Sequence, residues 1–269
     1  MTSSAAVSNK TSVAALNGTS TAAVVSPSAN LYAGPLYVPV TDPGNPDVRV
    51  RAGAAAGALE CSGAPYLGES NASDGGDDSQ SALEDFLTSP GFRLPRSGYR
   101  VEREEPGRVL FSYDVAGKTK VAIVVSDAER PGFERGWHVE SFADCNPAEW
   151  PEAVSAEVGV QVWTDANGDR VPTTIIESSQ GPEHCNWQTA TFLYLDKQSF
   201  IRDPEGVLSG TKFRTTFDPD TTLPADATNT GYRLGDRALW LAVDKTAAYV
   251  VTGNKVERWP APTEQVGCA

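Results

Sequence analysis

The sequence predicts an α+β fold, predominantly antiparallel β, with two related β-hairpin units and one or two short helices. Three observations carry that expectation. From Tyr99 onward the chain is a succession of short apolar and β-branched runs separated by turn residues. One segment, SALEDFLTSPG, carries a clear helical signature. Two distant stretches also repeat one order of residues around a hairpin.

In chain order, residues 1–56 are rich in Ala, Ser, Thr, Gly, Pro and Val and poor in large apolar side chains. Such a segment buries too little surface to offset its ordering entropy, so it reads as a flexible tether, with residues 57–269 as a single disulfide-bonded, β-rich domain. Within the tether, NLYAGPLYVPV offers Tyr32, Leu36, Tyr37 and Val38 for docking on the folded body. The acidic stretch GESNASDGGDDSQ, residues 68–80, reads as a second flexible patch. In the helix, Ser81 and Glu84 read as a capping box, Ala82, Leu83, Phe86 and Leu87 share a face, and Pro90-Gly91 ends it.

Strands are expected at RVLFSYDV, TKVAIVVSD, GWHVESFA, GVQVWT, VPTTIIES, WQTATFLYLD, SFIRD, ALWLAVD, AAYVVTG and VERWP. VWTDANGDRVP reads as a hairpin with Asn167-Gly168 supplying a positive-φ pair. The echo pairs LPRSGYR, then GRVLFSYDV and VAIVV, with LPADATNTGYR, then DRALWLAVD and AAYVV. It suggests an internal repeat of hairpin units.

The charge balance of 22 Lys+Arg against 35 Asp+Glu gives −13, a field that repels phosphate backbones and anionic headgroups, so nucleic acid is not an expected partner. No window provides the roughly 20 apolar residues of a spanning helix. Four cysteines, Cys61, Cys145, Cys185 and Cys268, are widely spaced without a C-x-x-C pair, which favours two disulfides. The preferred pairing is Cys145 with Cys185 and Cys61 with Cys268, closing loops of about 40 and about 207 residues; the other two pairings stay open. Disulfides imply an oxidising compartment. The N-terminus has neither a basic region nor a continuous apolar stretch, so no export signal is visible: either an export or anchor segment lies upstream or the export reading is wrong.

The chemical motifs are weak. Gly117-Lys118-Thr119 has the ending of a phosphate loop, but Ser112 stands where a glycine is required and strand follows, so it reads as a turn. Asp165, Asn167 and Asp169 alternate as in a calcium loop, yet Arg170 and Ile176 occupy the glycine and bidentate glutamate positions. The two histidines, His138 and His184, lack a nucleophile motif or zinc spacing, so no catalytic, cofactor-binding or metal residue is assigned and no cofactor is expected. Glu140, Asp144, Glu149 and Glu152 cluster around Cys145 and are the candidates for an acid/base pair. Trp137, Trp150, Trp163 and Trp187 form a candidate ligand surface if they are exposed together.

The segments VERWPAP…GCA, GPEHCNW and CNPAEWP resemble uncharacterised extracytoplasmic proteins of high-GC Gram-positive bacteria, over roughly the last three-quarters of the chain. The resemblance implies a membrane-tethered or lipid-anchored protein, and it brings no activity and no site residue. The expectation is therefore a secreted or surface-tethered binding or interaction module at the cell envelope, with an unknown envelope protein or polysaccharide as partner. The alternative is an envelope- or polysaccharide-directed hydrolase using carboxylates near Cys145.

Overall fold

The structure is a computed structural model that describes residues 32–37, 52–70, 76–89, 91–129, 136–208 and 211–267. Antiparallel β-sheet predominates, with three short α-helices among the described residues.

The first sheet contains β1 (Tyr66–Glu69), β2 (Tyr99–Glu105), β3 (Arg108–Val115), β4 (Lys118–Ser126) and β5 (His138–Asp144), in the order β1-β5-β4-β3-β2. Central strand β4 is buried on both faces, which is why TKVAIVVS is nearly unbroken apolar sequence. Val121, Ile123 and Val125 face one core, where helix α2 (Ser79–Thr88) lays Leu83, Phe86 and Leu87. Ala122 and Val124 face the other, closed by Leu36 and by Ala54, Ala55 and Ala58 of helix α1 (Gly53–Ala58).

That second layer reaches into the stretch read as a tether, since residues 32–37 and the first four residues of α1 lie within 1–56. The sheet's back face is itself paved with small side chains, Ala122 and Ala143, so an alanine helix can approach closely and bury surface that composition alone undervalues. The 32–37 segment docks as its aromatic residues suggested. Tyr32 N–H donates to Glu102 at 2.6 Å, Arg108 lies over the Tyr37 ring at 4.3 Å, and Leu36 is buried. Val38 and the rest of 1–56, apart from residues 52–56, lie outside the described residues.

Helix α2 starts three residues earlier than the Ser81 signal placed it. Asp78 is the N-cap, accepting from Ser81 N–H at 2.8 Å, and Ser81 Oγ accepts the reciprocal bond from Asp78 N–H. Strand β1 occupies the opening of the acidic patch at 68–80, where Gly68 lets the Phe142 ring cross the backbone; a Cβ there would sit 2.1 Å from that ring. Residues 71–75 are outside the described set.

A second sheet, β6 (Val160–Gln161), β7 (Ile176–Gln180), β8 (Thr191–Leu195) and β9 (Gln198–Arg202), follows helix α3 (Glu152–Glu157). A third is the meander β10 (Thr228–Leu234), β11 (Arg237–Leu241), β12 (Ala247–Thr252) and β13 (Lys255–Pro260). These two sheets share a core of Trp163, Ile176, Leu193, Phe200, Leu239, Val250 and Trp259. The turn at 165–170 has positive φ only at Gly168; Asp165 replaces the second left-handed residue by accepting from Asn167 and Asp169 N–H at 2.8 and 3.0 Å. The two echo segments both fold as antiparallel meanders, which short connections produce without duplication, and their Gly-Tyr-Arg triplets differ in place. Tyr99 opens β2, whereas Gly231-Tyr232 lies inside β10 at a register shift.

The disulfide pairing also differs. Cys61 bonds Cys145, with Cα atoms 5.2 Å apart, in place of the preferred Cys145–Cys185 bridge. The reason is topological: β1 pairs with β5, Tyr66 opposite Asp144, so the chain entering β1 passes the end of β5. Cys185 stands in a 3₁₀ turn after β7 and is itself disulfide-bonded; Cys268 is outside the described residues. The bridge is buttressed by Lys120, whose Nζ meets Glu149 Oε2 at 2.7 Å and donates to Glu60 O at 2.5 Å.

Candidate functional site

The end of β5 carries Asp144, which enters a cavity beside the first sheet, whereas Glu152 of the same cluster lines a separate cavity on α3. Register across the first sheet sets Tyr99, Tyr113, Val121, Asp144 and Tyr66 side by side, each opposite the next. Val121 belongs to the α2 core, so Asp144 points to that face at its margin. It is 8% exposed. Burial away from water pushes its carboxyl up to about 7, so near neutrality it exchanges between acid and carboxylate. The same burial, together with the Asp144 charge, holds the Tyr99 phenol well above its ordinary range.

Beside Asp144 opens a cleft of about 770 Å³ between the first sheet and the start of the second. Its apolar wall is Pro65, Tyr66, Phe92, Leu94 and Phe142. Phe92 meets Phe142 edge-on at 5.7 Å and Tyr66 lies 6.1 Å from it, with Tyr66 still 64% exposed at the mouth. The opposite wall is polar, with Asn146, Thr173, Thr174 and Glu177. Asn146 is fixed: its Oδ1 accepts from Ala148 and Thr173 N–H at 3.0 Å each, and Nδ2 donates to Thr173 Oγ1 at 3.1 Å. Arg170 holds the same turn from behind, donating to Ala148 O at 2.9 Å and to Pro147 O and Ser155 Oγ at 3.1 Å.

The other carboxylates near Cys145 do not converge with Asp144. Glu140 pairs with Arg108 at 2.8 Å. Glu149 is held by Lys120 and by Ser62 N–H; its burial raises the proton affinity, but these hydrogen bonds outweigh it and keep the carboxyl low. Glu152 lies exposed in the first turn of α3. The second carboxylate of the cleft is Glu177, bound by Arg93 at 2.9 Å.

The four tryptophans make no common surface. Trp150 is buried in the α2 core and Trp163 in the core of the other two sheets, where its Nε1 donates to Ser178 Oγ at 3.0 Å. Trp137 and Trp187 are half-buried against different clusters. Trp163 lies in the centre of a sheet sandwich, where large aromatics supply buried area, and that removes it from any ligand surface. His138 is buried in β5 and His184 is exposed in the 3₁₀ turn. Among the described residues no cluster of three His, Cys, Asp or Glu is placed to hold a metal ion.

Tyr66, Phe92, Arg93, Phe142, Asn146, Thr173, Thr174 and Glu177 carry no motif, since four separate segments meet only in the fold. Asp144 alone was indicated, through its place before Cys145.

Fold and cleft together define a disulfide-bonded, three-sheet antiparallel β protein with an aromatic, acid-bearing groove. Comparison of the chain with protein-family models, curated proteins and solved structures finds no match in any of the three.

Proposed function

We propose that the protein is an extracytoplasmic binding module whose cleft takes a segment of uncharged polysaccharide at the cell envelope. The observation that carries this reading is the pairing of an aromatic wall, on which Tyr66 is exposed at the mouth, with a polar wall of Asn146, Thr173 and Thr174. A sugar ring has the same two-sided character: its C–H face packs on an aromatic ring and its hydroxyls need directed polar partners. Asp144 and Glu177, on a chain of net charge −13, disfavour an anionic polymer here. The Cys61–Cys145 disulfide fits an oxidising compartment, and no helix among the described residues is long and apolar enough to cross a membrane.

The raised proton affinity of Asp144 favours a second reading, a polysaccharide hydrolase with Asp144 as general acid. Against it, glycoside cleavage also needs a second carboxylate to act as base or nucleophile, and Glu177 is engaged by Arg93. Calorimetry with neutral hexasaccharides of glucose, mannose and N-acetylglucosamine, followed by product analysis, separates the two. The binding reading expects micromolar to millimolar affinity for one of them, at least tenfold loss in Tyr66→Ala, and no cleavage. Absence of binding to all three would sink it, and cleavage abolished by Asp144→Asn would establish the hydrolase.

A further inference from the structure

A second cavity, of about 590 Å³, shares no lining residue with the cleft and lies where turns of the second and third sheets meet the C-terminal segment. Its rim holds Lys197, Arg214 and Lys245, three cations in a strongly acidic chain, against the carboxylates Asp244 and Glu264. Asp244 is already engaged: it accepts from Thr246 N–H and Oγ1 at 3.0 and 2.8 Å. Those hydrogen bonds, with a smaller contribution from the Arg214 charge, hold its carboxyl low. Among the described residues neither lysine ammonium forms an ion pair.

The backbone beneath those lysines is unusual. Five hairpins among the described residues close through two-residue turns, and four use glycine at a left-handed position: Gly107, Gly117, Gly235 and Gly253. The fifth, between β8 and β9, is Asp196-Lys197, with φ of +49° and +63°. In the longer turn from β11 to β12, Lys245 also stands at φ +56°, its N–H donating to Ala242 O at 2.9 Å. A lysine in this region is disfavoured relative to glycine, and a disfavoured backbone maintained by its surroundings points to a role for the side chain. Both turns aim that side chain at one cavity.

We infer that Lys197, Lys245 and Arg214 form a binding site for an acidic saccharide. The cations take its carboxylate or phosphate group, while Gln198, Thr263 and the half-exposed Tyr194 take the ring. This site stands independently of the polysaccharide reading of the cleft.

The test is an amide NMR titration at low salt with glucuronate, glucose 6-phosphate, inorganic phosphate and glucose, on wild type, the double variant Lys197→Gly/Lys245→Gly, and the double variant Lys197→Arg/Lys245→Arg. Wild type should show saturable shifts at both turns with at least one acidic sugar, at least tenfold tighter than with glucose or inorganic phosphate. The glycine variant should lose at least tenfold in affinity while melting no lower than wild type, since glycine suits both backbones. The arginine variant should retain binding. The proposal is overturned if neither acidic sugar binds, if glucose or inorganic phosphate binds as tightly, or if the glycine variant binds like wild type.

Discussion

At the scale of single residues, Asp144 concentrates the chemistry and sets a pH signature. In the unfolded chain it ionises near the ordinary aspartate value, whereas in the fold its carboxyl is raised to about 7. The stability conferred by its neutral form is therefore complete below about pH 4 and lost as pH rises to about 7, by up to roughly 4 kcal/mol. Asp144→Asn should abolish that slope and be more stable than wild type at pH 8, as read by urea unfolding at pH 5 and 8. The buried pair Lys120–Glu149 makes the opposite demand. Lys120→Met strands a carboxylate that is 15% exposed and should cost roughly 3 kcal/mol in the same unfolding measurement at pH 7. Asp144 and Glu149 stand five residues apart, and nothing in their spelling separates them. A strand end beside a cavity made one protonatable, and a lysine from β4 made the other a fixed charge.

Among elements, legibility followed burial pattern. Strands β3, β4, β11 and β12 were plain in the sequence because apolar or β-branched runs bounded by Gly turns leave little else to build. Strand β2, YRVEREE, was hidden because it is an edge strand dense in charge, with Glu102 alone of its charged residues buried, and β1 because Gly68 breaks the pattern to admit Phe142. Helix α1 was hidden for the converse reason: alanines that look like linker fit a back face where Ala122 and Ala143 leave room for close approach. Ala55 is fully buried there, so Ala55→Leu should overpack the α1–sheet contact and cost about 1–3 kcal/mol, measured as a lowered melting temperature. A flexible tether over the same residues would tolerate the change.

For the whole molecule, the antiparallel α+β class was legible, whereas the cystine framework and the cleft were not, because both depend on which strands neighbour one another. The pairing of β1 with β5 accounts for both, carrying Cys61 to Cys145 and Tyr66 to Asp144. The bridge closes a sequence separation of 84 residues, and Cys61→Ser/Cys145→Ser should destabilise the fold by about 2–5 kcal/mol in thermal unfolding. Peptide mapping without reduction should return Cys61 linked to Cys145 and no Cys145–Cys185 peptide. The central claim is that the groove between the first two sheets holds a neutral glycan. Amide NMR titration with the hexasaccharide of highest affinity tests it most directly. Saturable shifts at Tyr66, Phe142, Asn146, Thr173 and Thr174 that vanish in Tyr66→Ala are expected; shifts centred elsewhere, or none, would rule out the groove as the glycan site.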